Sequence, residues 1–285
     1  MKNRIIAVVV TYNRLNDLKN CINALKKQTL NNFDILIVNN GSNDGTKEYL
    51  DSLGDKIKCI HQENLGGAGG FYTGSKYAFD HYYDWIWMMD DDGLPHPEQL
   101  NNLMKIANKK GECVLNALVA CIDDHSRFAF GRQELLSSIN TNADIIETPF
   151  SPFNGTLIPR TIIEKVGFIK KEMFIWGDEQ EYMNRIRKAG FQTYTVPSSV
   201  HYHPREKGRK ERVLPIIKRV VLIKPSNMSH YFYRNLGYID ATYGGMKRMI
   251  NQLSCYTIYL IRVGRFGELV KFYKYYFRGR KNNYR

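Results

Sequence analysis

The sequence predicts an α/β fold: an open, mostly parallel sheet flanked by helices, joined to a basic α-helical C-terminal region. Two observations carry the first part. Apolar runs of strand length alternate with stretches of helical periodicity through the first hundred residues, a βαβαβαβ rhythm that puts helices on the faces of a parallel sheet. Each run also ends in a polar or glycine-rich segment, and right-handed crossovers place those segments on the one edge where such sheets bind ligands. A third observation carries the second part. Beyond residue 204 Lys and Arg dominate, and from residue 246 to 285 the only acid is Glu268. The expected division is residues 1–204 and 205–285.

The elements follow in order. Residues 5–10 are a β-branched apolar run, as in a strand buried on both faces, and Thr11-Tyr12-Asn13-Arg14 is the polar loop after it. Leu15, Leu18, Ile22 and Leu25 recur at helical spacing up to about Gln28. Residues 33–38 form a second strand that ends in Asn39-Asn40-Gly41-Ser42-Asn43-Asp44, after which Thr46 is placed to cap a short helix. Residues 58–61 are a third strand. The glycine-rich segment Asn64-Leu65-Gly66-Gly67-Ala68-Gly69-Gly70 follows as a loop, then a helix to about His81. Trp85-Ile86-Trp87-Met88-Met89 is the fourth strand, and it delivers Asp90-Asp91-Asp92 into Gly93.

The middle of the chain is mixed. Residues 114–122 and 153–158 read as strands, the second closed by Pro159, and 161–166 as a short helix. Trp176-Gly177-Asp178-Glu179-Gln180-Glu181 leads into a helix stopped by Gly190. Residues 191–196 form a strand, and His201-Tyr202-His203 follows after a short loop. In the last third Met249, Leu253, Tyr256, Leu260 and Val263 form one helical stripe, and Leu269, Tyr273 and Tyr276 another.

Composition bounds the function. A chain of 285 residues with 43% hydrophobic content and mixed charge is globular. The formal net charge of +13 asks for an acidic partner: nucleic acid, anionic lipid or a phosphorylated substrate. Five scattered cysteines with no paired ligand spacing fit buried free thiols in a reducing compartment. The N-terminal apolar run is too brief for a signal sequence, and no stretch approaches the ~20 apolar residues of a spanning helix. The expectation is a cytoplasmic protein, in contact with a membrane at most.

Three adjacent carboxylates at a sheet edge repel one another unless a cation sits among them. Alternate residues of an extended segment point the same way, so Asp90 and Asp92 can share an ion while Asp91 faces elsewhere. Hard carboxylate oxygens suit Mg²⁺ or Mn²⁺, and such a metal beside glycine N–H groups is equipped for a diphosphate. An acidic surface turn is the plainer alternative. A dinucleotide fingerprint fails because position 72 is Tyr, and the chain has no Walker-type lysine loop.

Thr11-Tyr12-Asn13-Arg14, the segment from Asn39 to Thr46 and the Asp90-Asp91-Asp92 cluster resemble the family-2 glycosyltransferases of the GT-A fold. The glycine-rich segment, the Trp-Met-Met-Asp-Asp-Asp run and Phe174-Ile175-Trp176-Gly177-Asp178-Glu179-Gln180-Glu181-Tyr182 resemble the galactofuranosyltransferase branch more specifically. Together these motifs cover roughly residues 5–204 in order.

The resemblance implies roles. Thr11, Tyr12 and Arg14 border the nucleotide, and Asn40 stands where many relatives have an Asp that accepts from uracil. Asn64, Gly67, Gly69 and Gly70 approach the sugar diphosphate, Asp91 lies near ribose or sugar, and Trp176 offers an apolar wall. Asp90 and Asp92 hold Mn²⁺ or Mg²⁺ together with a late histidine, His203 or else His201. An inverting transfer needs a carboxylate base; register gives Glu179, with Asp178 close behind. The implied reaction moves galactofuranose from UDP-galactofuranose onto a growing, lipid-linked bacterial cell-surface glycan. The work would be done by a peripheral enzyme on the inner face of the membrane. Another hexosyl transfer, such as rhamnosyl from a dTDP donor, is the enzymatic alternative. A basic membrane- or nucleic-acid-binding protein of degenerate fold is the non-enzymatic one, and acids gathered at the ligand edge speak against nucleic acid. A basic, aromatic C-terminal region suits an anionic membrane surface.

Overall fold

The computed structural model describes residues 3–130, 136–147, 153–205, 209–216 and 218–284; residues 206–208 and 217, within the basic stretch noted above, lie outside them. The chain folds as two compact units. One comprises Met1–Lys171 with Tyr182–Glu206, the other Glu172–Glu181 with Lys207–Arg285.

The first unit begins as expected: β1 (Ile5–Thr11), α1 (Leu15–Lys26), β2 (Asp34–Asn39), α2 (Thr46–Ser52), β3 (Lys58–His61), α3 (Gly66–Asp80) and β4 (Trp85–Asp90). β1 is buried along its whole length and pairs in parallel with β2 and β4, while β2 pairs in parallel with β3. Two local readings change. Thr46 does not cap α2; Asp44 Oδ1 accepts the Thr46 N–H at 3.2 Å, and Thr46 is the first helical residue. The glycine-rich segment is not a loop, because Gly66 opens α3. A Cβ on Gly70 or Gly74 would run into the side chain of Val10 or Val8, so these glycines let α3 lie directly on β1.

Then come β5 (Leu94–Pro95), α4 (Gln99–Lys110), β6 (Cys113–Cys121), β7 (Ile146–Glu147), β8 (Thr156–Pro159), α5 (Arg160–Val166), α6 (Asp178–Lys188) and β9 (Gln192–His203). Among the described residues nine strands form one mixed sheet in the order β3-β2-β1-β4-β8-β6-β9-β5, with β7 also on β9. β8 lies antiparallel between β4 and β6, so the parallel half stops at β4. β6 and β9 run parallel, but their register jumps where Ala117 faces Val196 and Leu118 faces Val200. Pro197, which lacks a donor, sits in that irregularity. His201 and His203 therefore belong to β9 itself, not to a loop after it. The core packs Trp87, Met89, Leu18, Ile22, Leu103 and Leu115 against one another.

The second unit contains the antiparallel hairpin β10 (Arg209–Arg212) and β11 (Val220–Ile223), then α7 (Ser229–Ile239), a π-helical turn (Asp240–Gly244), α8 (Gly245–Arg262) and α9 (Phe266–Arg280). The hairpin and α7 add to the helices read from periodicity. Tyr233, Tyr256, Leu260, Phe272 and Tyr276 form its core, with Tyr256 stacked on Phe272 at 4.7 Å. The apolar stripes seen in the sequence thus turn inward and serve as this unit's own core, except at Val263, which is 40% exposed at the end of α8. Among the described residues no helix is long and apolar enough to cross a membrane.

Candidate functional site

At the carboxyl edge of β1, β2 and β4 the post-strand segments are cross-linked by side chains. Asn13, in a left-handed conformation at φ 53°, accepts the Asn43 N–H at 2.7 Å and donates its own N–H to Ser42 Oγ at 3.0 Å. Asn40 is buried and uses both ends of its amide. Its Nδ2 donates to the Gly66 carbonyl at 2.9 Å, and its Oδ1 accepts from Gln62 Nε2 at 2.8 Å and from the Leu65 N–H at 3.1 Å. Both lone pairs of that oxygen are engaged, so Asn40 pins the loops together; accepting from a nucleobase would require release of one bond. Asn64 Oδ1 in turn accepts the Gly66 N–H at 2.9 Å. Of the glycines, Gly69 and Gly70 are buried against Leu65 and Val10, whereas a Cβ on Gly67 would meet nothing within 4 Å. Only Gly67 of the three faces open space. Tyr12 is 46% exposed beside this edge.

The three aspartates diverge as alternation requires. Asp91 turns inward, where Thr11 Oγ1 donates to it at 2.7 Å and Arg14 approaches at 3.4 Å. Burial pushes its pKa up to about 6, against the Thr11 hydrogen bond and the Arg14 charge. Asp90 and Asp92 gather with His203; one ligand atom from each lies within 4.8 Å of the others. Asp92 also pairs with Arg14, and His203 Nε2 lies 3.0 Å from its Oδ1. Burial by itself would raise the Asp92 pKa, but the hydrogen bond and charge of His203, with Arg14, hold it down at about 2. Burial likewise works against the His203 imidazolium, yet Asp92 outweighs it and His203 is raised. Asn154 adds a longer contact to Asp90 at 3.4 Å, a role its Phe-Asn-Gly context did not announce.

The donor set fits a divalent cation. His203 Nδ1 lies 2.6 Å from the Pro204 carbonyl, which can only accept, so Nδ1 carries hydrogen and Nε2 is the nitrogen turned to the aspartates. Two carboxylates and one imidazole suit Mn²⁺ and admit Mg²⁺. The tertiary route to this set is specific. β5 pairs antiparallel with β9, matching Leu94 to Tyr202 and Pro95 to His201, and so folds the turn after Asp92 back onto the strand that carries His203.

His201 is placed differently. It is fully buried, its Nδ1 3.1 Å from Gln99 Oε1 and its ring packed against Gly93. Burial, with the nearby His203 charge, lowers its pKa to about 3. The unfolded chain binds a proton near 6.5 that the folded chain refuses, so this contribution to stability is intact above 6.5 and is lost as pH falls toward 3. Asp91, raised in the folded state, acts in the opposite sense. Between pH 7 and 5 the wild type is expected to lose about 2 kcal/mol more stability than His201→Gln, from ~1.4 kcal/mol per pH unit over the interval below 6.5. Denaturant unfolding at both pH values measures this, and parallel losses would assign the acid sensitivity to other groups.

In the second unit the segment before α6 is strained. Phe174 and Trp176 hold φ of 66° and 62°, and Gly177 follows at 104°. Asn235 of α7, fully buried, sustains that path by donating Nδ2 to the carbonyls of Met173, Ile175 and Trp176 at 2.8–3.0 Å. Bulky residues at positive φ cost of order 1–3 kcal/mol each and persist where surroundings over-determine them. Trp176 is half-buried with Lys224 Nζ 4.7 Å from its ring centroid. Asp178 and Glu179 open α6, where the helix N-terminus favours acids. Asp178 is buried; Glu179 is half-buried and, among the described residues, makes no hydrogen bond or ion pair. Glu181, also buried, accepts from Tyr243 Oη at 3.0 Å. Asn235 carried no sequence signal, since a lone Asn in a helix shows nothing of the carbonyls it will meet.

A family model described as Glycosyl transferase family 2 matches residues 6–167. The chain is 30% identical over 267 residues to galactofuranosyltransferase GlfT1 of Mycobacterium tuberculosis (strain ATCC 25618 / H37Rv), which covers 88% of this chain and 86% of the relative. It is 27% identical over 263 residues to GlfT1 of Mycolicibacterium smegmatis, at 87% and 86% coverage. Among solved structures, S. aureus TarS superposes with a TM-score of 0.61 over 90% of this chain and 70% of that one, at 14% identity. GalNAc-T7, solved with UDP, GalNAc and Mn²⁺, gives 0.58 over 71% and 44%, at 17% identity. These structural likenesses carry the fold alone.

Proposed function

The chain belongs to glycosyl transferase family 2 and is galactofuranosyltransferase-like, and from that membership we propose that it transfers galactofuranose from UDP-galactofuranose to a glycan acceptor, inverting the anomeric centre. Its fold is GT-A, as the motifs implied. The observation that carries the reaction class is the convergence of Asp90, Asp92 and His203 at the carboxyl edge of the parallel strands. S. aureus TarS has been solved with UDP and with UDP-GlcNAc, which supports a UDP-sugar as donor.

In this reading Asp90, Asp92 and His203 hold Mn²⁺ or Mg²⁺, which when bound supplies positive charge to the departing diphosphate. The protein's own residues do the rest. Arg14, half-exposed beside Asp91 and Asp92, is placed to exchange a carboxylate for a phosphate oxygen. Thr11, by holding Asp91 inward, fixes the direction in which its neighbours project. Asn64 and Gly67 border the donor, and Tyr12 and Trp176 supply apolar surface. The acceptor hydroxyl loses its proton to a carboxylate as it attacks. Glu179 is the base of choice over Asp178, because it is accessible and uncommitted while Asp178 is buried. Glu179→Gln is expected to lower kcat about 10²–10⁴-fold with donor binding retained. Full activity in that variant with loss in Asp178→Asn would reverse the assignment.

The acceptor in this proposal is a growing, lipid-linked bacterial cell-surface glycan, and the enzyme works peripherally on the inner face of the cell membrane. The test is donor turnover by purified protein with Mn²⁺ or EDTA across UDP- and dTDP-sugars. Metal-dependent release of UDP from UDP-galactofuranose supports donor and reaction class together. Turnover confined to another donor, a dTDP-rhamnose included, overturns the donor and keeps the mechanism.

A further inference from the structure

The helices α8 and α9 are apolar on two faces. One face forms the second unit's core. On the other, Met246, Ile250 and Ile261 recur along α8 at helical spacing with Ile258 at their flank, and each is 43–65% exposed. Along α9, Phe266, Val270 and Phe277 do the same at 62%, 69% and 41%. The two stripes adjoin. Thr257, between Ile250 and Ile261, shares a 2.7 Å hydrogen bond with Tyr273, which lies between Val270 and Phe277 and stacks on Phe277. The polar atoms at the junction therefore satisfy one another and need no water. Broken on α8 only by the exposed Ser254, seven large apolar side chains on one side of two adjoining helices mark an interaction site.

Its surroundings select the partner. Lys247, Arg265, Lys274 and Lys281 are exposed around the stripes. The single acid of the two helices, Glu268, is turned away into bonds with Ser226, Ser229 and Lys271. Two copies brought together on this face would oppose like charges. An anionic bilayer surface answers both features, taking the apolar stripes into the boundary between headgroups and acyl chains and pairing the cations with lipid phosphates. We propose that this outward face of α8 and α9, rather than the stripe read from the sequence, docks the protein on an anionic membrane. The proposal deepens the reading of a peripheral enzyme with a lipid-linked acceptor, and it is independent of the donor assignment.

The experiment compares the full chain with the triple variant Ile250→Gln, Phe266→Gln, Val270→Gln. Each is incubated with vesicles of phosphatidylcholine alone or mixed with phosphatidylglycerol, and binding is read by co-flotation. Wild type is expected to bind the mixed vesicles and the variant at least about tenfold more weakly, from the lost burial of three apolar side chains. Donor hydrolysis in solution and the unfolding transition should be the same in both. Equal flotation of the two proteins overturns the proposal, as does absence of wild-type binding. Sedimentation showing a wild-type dimer that the variant dissolves, with vesicle binding unaltered, assigns the face to a second copy instead. Loss of donor hydrolysis from wild type itself would count against the transferase reading and leave the flotation result standing.

Discussion

Replacing Asp92 by alanine is expected to lower sugar transfer about 10³-fold or more while leaving the protein folded, on the scale of removing a principal stabiliser of transition-state charge. The carboxylate lies at an edge, 14% exposed, and anchors no apolar packing; its partners are Arg14 and His203. Its removal takes away one proposed cation ligand and the group that raises the His203 pKa. Titration with Mn²⁺ at constant donor should show weakened metal dependence as well as a lower kcat. Circular dichroism and thermal unfolding serve as the control. A variant that is folded and fully active would remove Asp92 from the chemistry and, with it, the metal reading of the cluster.

The largest expected loss of stability lies in the second unit, at Gly279. A Cβ there would overlap the Arg234 carbonyl, and one at Gly237 would overlap the carbonyl of Tyr276, so the two glycines bring the backbones of α7 and α9 into direct contact. Neither clash can be relieved by rotating a side chain, because the obstructing atoms are backbone. Gly279→Ala is expected to cost about 3 kcal/mol, the upper end for overpacking, since the helices must separate and open the layer of Tyr233, Phe272 and Tyr276. Chemical denaturation measures it. A cost below about 1 kcal/mol, the ordinary range for a surface substitution, would mean that α7 and α9 part easily. Gly267→Ala, where a Cβ meets nothing, is the matched control.

The parallel half of the sheet was legible because β1, β2 and β4 are built on apolar runs and α1 carries a 3.6-residue stripe, which leaves the short, half-polar β3 to be placed by the rhythm around it. Those signals are local, and alternation along the extended segment at Asp90, Asp91 and Asp92 was enough to separate the inward acid from the two that share a cluster. The glycine-rich segment misled for a physical reason. Composition reads such a run as a phosphate-cradling loop, whereas Gly70 and Gly74 owe their identity to Val10 and Val8, residues of a strand some sixty positions earlier. The apolar stripe of α8 was read at the right spacing, but periodicity does not state which of two apolar faces will find a core.

By itself, then, the sequence determined the α/β class, the edge on which the polar segments meet, the acidic cluster and the family, since each rests on short-range pattern or ordered motifs. The tertiary structure decided the rest. It inserted β8 antiparallel beside β4, distinguished His203 from His201 through the pairing of β5 with β9, committed Asn40 to its neighbours, and turned one face of α8 and α9 inward and the other to solvent. Each of these depends on contacts between residues tens of positions apart, and burial and hydrogen bonding across such separations exist only once the chain has closed on itself.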